Sequence, residues 1–242
     1  MVQKVEKKLF SDSAGTGKSL GKIEKKSRKK YCDFLFFRMP LSTIQCILTA
    51  LKYESMPIID YFGLVRLKSF EFPVFKSDRM ILLGIGVGKK NIKNRIINLL
   101  SKKKDHEIYQ FFNIGIAGGN KENTEIGKCY LINKIFDEQD KIYYYPELPS
   151  EHPFEEMGIV TVKKEVTSTS SRYLELVDME ASEIFRICNA LVPNQRHAYI
   201  KIVSDYMNLN KFELNKNKIS TLIKNNMNTI DSYLQSYYFE HH

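Results

Sequence analysis

Two acidic stretches stand at the ends of apolar runs: Val177-Asp178-Met179-Glu180-Ala181-Ser182 and Lys201-Ile202-Val203-Ser204-Asp205. A buried carboxylate is costly unless it has a partner or a task. Two that converge on one ligand can divide the labour, one gripping sugar hydroxyls and the other trading a proton. Nucleoside chemistry is therefore the first expectation. Each residue alone also has a plain reading. Glu180 opens a helical pattern, where the helix dipole favours an acid, and Asp205 at a strand end fits a cap or turn.

Two glycine-rich segments follow apolar runs. Gly84-Ile85-Gly86-Val87-Gly88 precedes a helical pattern, but its spacing is GxGxG and not the GxGxxG of a dinucleotide loop. It reads as a tight turn, or as amides facing an anion or a hydroxyl-rich ligand. Asn113-Ile114-Gly115-Ile116-Ala117-Gly118-Gly119 lets the backbone approach a ligand closely. It fits a plain strand-to-loop turn equally well. Ser13-Ala14-Gly15-Thr16-Gly17-Lys18-Ser19 resembles a phosphate loop and fails on inspection. Asp12 stands at its first glycine position, and no apolar strand precedes it.

The elements that must position these residues alternate between strand and helix patterns. Strands are expected at Asp33–Phe37, Phe62–Leu67, Phe70–Phe75, Met80–Leu83, Ile108–Ile114, Cys129–Phe136, Gly158–Val162, Leu174–Asp178 and Ala198–Val203. Helices are expected at Leu41–Leu51, around Ile92, Ile96, Leu99 and Leu100, after Glu180, and from Ile219 to Leu234. Residues 137–157 read as one long loop carrying Tyr143, Tyr144 and Tyr145. The alternation predicts a single α/β domain over 31–242, with a mixed, mostly parallel central sheet flanked by helices. In such sheets ligands bind beyond the carboxyl ends of the strands, where both glycine segments and both acidic motifs fall.

Composition narrows the function classes. The net charge is +9, but residues 1–30 hold ten Lys or Arg against three acids, leaving only +2 for residues 31–242. The basicity belongs to an extension expected to be flexible, and no specific nucleic-acid partner is implied. No apolar run reaches the roughly 18 residues of a spanning helix, so no membrane partner is expected. The basic start lacks an apolar signal core, so no secretory signal is expected. Cys32, Cys46, Cys129 and Cys188 are widely spaced with no CxxC, and read as free thiols in a reducing, cytoplasmic setting. No metal or other cofactor is expected.

The order GIG, NIGIAGG, IGKCYLINKIF, VDMEASEIF and IVSDYMN resembles the family of purine nucleoside phosphorylases and methylthioadenosine/S-adenosylhomocysteine nucleosidases, over residues 31–238. The nucleosidase branch is the closer likeness. The resemblance implies one nucleoside phosphorylase-like α/β domain, a small-molecule nucleoside as substrate, and a homo-oligomer, with a dimer favoured. It places Met179 and Glu180, with Asp178 beside them, at the ribose. It makes Asp205 the acid that protonates the purine at N7, oriented by Ser204. Gly86 and Ile116, Ala117 and Gly118 would line the sugar and nucleophile site, and Val162 the base. The 137–157 loop would reach a neighbouring subunit's pocket. Three departures accompany the match. The nucleosidases carry a water-activating glutamate just after the first strand, where Arg38–Thr43 holds no acid. Asn113 and Ile116 replace the phosphate-binding arginine and serine of phosphorylases. Val162, Lys163 and Lys164 stand where an aromatic residue stacks on adenine. The implied activity is an N-ribosyl hydrolase. A weak or inactive nucleoside-binding protein is the alternative, and a phosphorylase comes after it.

Overall fold

A computed structural model of the chain describes residues 42–167, 172–207 and 215–240, with side chains to residue 237. The expected strand at Asp33–Phe37, the phosphate-loop-like segment and the basic extension lie outside the described residues. Among the described residues ten strands run in one sheet: β1 Ser42–Thr49, β2 Val65–Arg66, β3 Val74–Lys76, β4 Met80–Gly84, β5 Glu107–Gly118, β6 Cys129–Asp137, β7 Ile142–Tyr144, β8 Glu155–Thr161, β9 Leu176–Asp178 and β10 His197–Asp205. The helices are α1 Lys52–Phe62, α2 Ile92–Leu100, α3 Ala181–Cys188 and α4 Lys216–Glu240.

The long ladders are parallel: β4 with β1, β1 with β5, β5 with β10, and β6 with β8. The antiparallel pairs are short, so the sheet is mixed and mostly parallel. Five strands also close a ring, since β5 pairs β10, β10 pairs β6, β6 pairs β8, β8 pairs β9, and β9 returns to β5 at Val177–Gly118. The ring brings the end of β9 beside the carboxyl end of β5, so the two acidic motifs face one another.

Helices cover both faces. On one, α1 and α4 bury Ile58, Ile223, Met227, Ile230, Tyr233, Leu234 and Tyr237 over Ile47, Phe112 and Ile114. Each aliphatic side chain so buried stabilises by roughly 1.5–3 kcal/mol. On the other, α2 and α3 contribute Ile92, Ile96, Ile184, Phe185 and Cys188 against Cys46, Leu48, Phe111 and Tyr199. Among the described residues no helix is long and apolar enough to cross a membrane.

Several elements differ from the sequence reading. Leu41–Leu51 was expected as a helix, and Ser42–Thr49 is instead the strand β1. It lies between two parallel neighbours with both faces covered, so its apolar run shows no alternation, and such a run has no decisive period. The helix begins after it, at Lys52, and runs through Pro57. Proline has no N–H to give the carbonyl four residues back; that carbonyl, on Tyr53, accepts a 3.0 Å bond from Ser220 Oγ of α4 instead. The expected strand at 62–67 shrinks to β2, because Phe62 closes α1 and Gly63 caps it at φ 59°. The expected loop 137–157 contains β7, hairpinned onto β6, and the first residues of β8. The NIGIAGG segment is not a turn: β5 continues through Gly118.

Candidate active site

Residues 38–43 hold no acid, but a buried one follows β1. Glu54 lies in the first turn of α1, five residues past the end of β1, and is 2% exposed. Its Oε2 accepts the Ala50 and Leu51 amides at 2.9 and 2.8 Å, an acid reaching back to cap its own helix. Its Oε1 accepts the Ile116 amide of β5 at 2.9 Å. Three backbone donors therefore hold the carboxylate rigidly against the strand. The contact needs a glycine opposite: a Cβ on Gly115 would lie 2.8 Å from Glu54 Oε1. Burial raises the Glu54 pKa, opposed by the amides and by Lys201. The sequence held one local signal for this residue, an acid three positions into a helix. The apolar run of β1 hides that signal, because it carries the helix expectation up to Leu51.

Glu180 is the N-cap of α3 and is 7% exposed. Its Oε1 accepts the Gly88 amide at 2.6 Å. That amide belongs to the GIGVG turn, where Gly86 and Gly88 adopt φ 81° and 75°, conformations that glycine reaches without steric cost. Burial pushes the Glu180 pKa up to about 7, helped by the negative charge of Asp178; Lys201 and the Gly88 amide act the other way.

Both oxygens of Asp178 have protein partners. Its Oδ1 accepts Thr161 Oγ1 at 2.8 Å, and its Oδ2 accepts the Ala181 amide and Lys201 Nζ, each at 2.9 Å. It fixes the start of α3, and so the position of Glu180. Lys201 is 2% exposed, with its ammonium beneath Asp178, Glu180 and Glu54. Burial alone would lower its pKa; the three carboxylates more than offset this and raise it.

At the other end of the cavity, Asp205 Oδ2 accepts Ser204 Oγ at 2.6 Å and Oδ1 accepts the Met207 amide at 2.8 Å. Met207 has a positive φ of 57°, a strained conformation for a residue with a side chain. A Cβ on Gly118 would lie 2.8 Å from Met207 Cγ, so that glycine makes room for the turn.

These groups line one cavity of about 400 Å³. Of the residues expected at the site, Ile116, Ala117, Gly118, Val162, Asp178, Met179, Glu180, Ser204 and Asp205 border it. Gly86 does not; Val87 takes its place, and Gly88 acts through its amide. Asn113 lies within the sheet, bonded to the Leu48 carbonyl at 3.2 Å. Lys163 and Lys164 are exposed, while Glu165 and Val166 complete the wall beyond Val162. Among the described residues lining the cavity there is no lysine or arginine. No group of described His, Cys, Asp and Glu is arranged to hold a metal ion.

Compared with family models and with curated proteins, the sequence matches none. Solved structures do match. The apo 5′-methylthioadenosine nucleosidase of Arabidopsis thaliana superposes at TM-score 0.66 and 16% identity, covering 82% of this chain and 97% of its own. An MTAN variant of Chlamydia trachomatis bound to MTA gives 0.61 and 18%, covering 79% and 98%. The Chlamydia trachomatis MTAN bound to adenine gives 0.59 and 20%, covering 80% and 100%. At these identities the likeness speaks for the backbone, and this chain has the α/β fold of the 5′-methylthioadenosine nucleosidases.

Proposed function

We propose that this protein is an N-ribosyl hydrolase that cleaves the glycosidic bond of a purine or 5′-modified purine nucleoside. The observation that carries the reading is the convergence of Glu54, Glu180 and Asp205 on one cavity. Glu180 as a carboxylate accepts hydrogen bonds from the ribose hydroxyls, with Met179 as an apolar wall. Asp205, as the general acid, delivers a proton to purine N7 as the C1′–N9 electron pair departs with the base. Glu54 takes a proton from the water whose oxygen bonds to C1′. The products are free base and free sugar. Each proton transfer of this kind typically contributes about 10²–10⁴-fold. The ribose turns cationic at the transition state, and the surrounding carboxylates favour that charge.

The same charges argue against phosphorolysis. Phosphate would enter a cavity bordered by five carboxylates, and the Lys201 ammonium near them is already paired with Asp178. Glu54 also counts against an inactive binding protein, the reading that the lack of an acid after the first strand would favour. A dimer is the assembly we favour, supported by Ile142, Tyr143 and Tyr145, which are 46%, 53% and 61% exposed along the β7 edge. A reducing, cytoplasmic setting is supported by the buried free thiols Cys46, Cys129 and Cys188.

The test is base release from methylthioadenosine, adenosylhomocysteine, inosine and adenosine, with and without phosphate. Phosphate-independent release, abolished in Glu180→Gln and Asp205→Asn, is expected. Release only with phosphate assigns a phosphorylase. Ligand-induced thermal stabilisation without release assigns a binding protein.

A further inference from the structure

Beside the site lies a part-buried ion pair that the mechanism above does not use. Lys89 follows Gly88 directly, and its Nζ pairs with Asp137 Oδ2 at the end of β6. The Asp137 side chain is 4% exposed and fully engaged. The same Oδ2 accepts Ser182 Oγ at 2.7 Å, and Oδ1 accepts the Gln139 and Asp140 amides at 3.0 and 3.1 Å. Ser182 lies two residues after Glu180, in the first turn of α3. The Gly88 amide and the Glu180 carboxylate are thus one residue and two residues from opposite ends of a single clamp. On its other side the turn is held by Arg95, whose Nη1 donates to the Gly84 carbonyl at 2.6 Å.

We propose that the Lys89–Asp137–Ser182 clamp is a positioning device for the ribose site: it sets the Gly88 amide on Glu180 and so keeps Glu180 a carboxylate able to accept the sugar hydroxyls. The inference rests on the hydrolase reading for its substrate. An N–H donor favours the charged form of a carboxyl group. If the clamp opens and the turn drifts, Glu180 loses that donor and binds its proton to a higher pH. The other charged groups facing Glu180 are Asp178 of β9, Lys201 of β10 and Glu54 of α1. None of them touches Lys89, so each stays in place when Lys89 is changed. Around the clamp itself, Asp140, Arg186 and Tyr144 supply the remaining charges and dipoles.

The experiment compares the full chain with Lys89→Met, Asp137→Asn and the conservative Lys89→Arg, using Lys93→Met on the exposed face of α2 as control. Two readouts are taken: kcat and KM for methylthioadenosine against pH, and the titration of the Glu180 carboxyl by ¹³C NMR, assigned with Glu180→Gln. In Lys89→Met and Asp137→Asn, KM at pH 7 is expected to rise about tenfold with kcat within about twofold, as for one weakened bond to a charged group. The Glu180 titration should move up by about one pH unit. Lys89→Arg restores both. If neither readout moves in a folded variant, the proposal is overturned. It is equally overturned if activity falls only in step with the folded fraction while the Glu180 titration stays put. If the wild-type protein releases no base from any nucleoside, the hydrolase reading fails, and the NMR titration still decides the clamp.

Discussion

Replacing Glu54 by glutamine separates its capping of α1 from its proposed role as the base. The carboxylate accepts three amides, two on Oε2 and one on Oε1. Glutamine keeps one oxygen. Turned toward Ala50 and Leu51 it retains two bonds and sets its NH₂ against the Ile116 amide. One buried donor left unmet costs about 1–3 kcal/mol. Against this, the variant no longer buries a charge, and burial is the main cause that raises the Glu54 pKa. The sign follows: a carboxyl raised in the folded state holds its proton there longer than in the unfolded chain, so its contribution weakens as pH rises past the unfolded pKa. At neutral pH the two effects oppose, and the net loss of stability should stay under about 2 kcal/mol. Activity should respond quite differently. Loss of a general base typically costs about 10²–10⁴-fold, and glutamine cannot take a proton. The assay is free-base release under single-turnover conditions, with urea unfolding on the same preparations. A folded Glu54→Gln that keeps kcat within tenfold of wild type would falsify Glu54 as the base.

Three further predictions come from the same cavity. Glu180, with its pKa raised to about 7, favours the folded state fully below the unfolded carboxyl pKa and loses that contribution as pH climbs to about 7. Glu180→Gln should therefore raise Tm at pH 8 relative to wild type, by up to about 3 kcal/mol of stability, and make little difference at pH 4; calorimetry at both values checks it. Lys201→Met strands the buried Asp178, and urea unfolding should show a loss of about 3–5 kcal/mol; Lys201→Met with Asp178→Asn should recover much of it. Gly115→Ala forces a methyl within 2.8 Å of Glu54 Oε1. Its kcat should fall at least about tenfold with a smaller relative change in KM, and an unchanged kcat would show that Glu54 can shift freely.

Much of this protein is legible in its sequence, and what is legible is local. Val177–Ser182 and Lys201–Asp205 declare themselves because an acid following an apolar strand is rare without cause. The GIGVG turn is marked by glycines that adopt positive φ. The amphipathic spacing of α2 and α3 and the apolar stripe of α4 identify them as covering helices. Together with the alternation of elements they determine an α/β domain and place both acids at strand ends.

The tertiary structure decided what local pattern cannot. β1 has no period to separate strand from helix, because two parallel neighbours and a helix layer on each face bury it throughout. A helix expected over this run ends before Glu54 and leaves its N-terminal position unmarked. Its task depends on the β1–β5 register, which sets Leu48 opposite Asn113 and brings Glu54 to the Ile116 amide, 62 residues away. Lys201 was visible only as a break in an apolar strand; pairing across the closed ring makes it the ammonium beneath three carboxylates. Asp178 belongs in sequence with the ligand-binding acids, and it borders the cavity; packing also makes it a brace, bonded to Thr161, Ala181 and Lys201. Sequence alone determined which residues carry charge and which segments end in turns. Which charges meet, and so which acids share one cavity and which brace the fold, follows from strand register and burial, because pairing between distant strands leaves no mark on either strand alone.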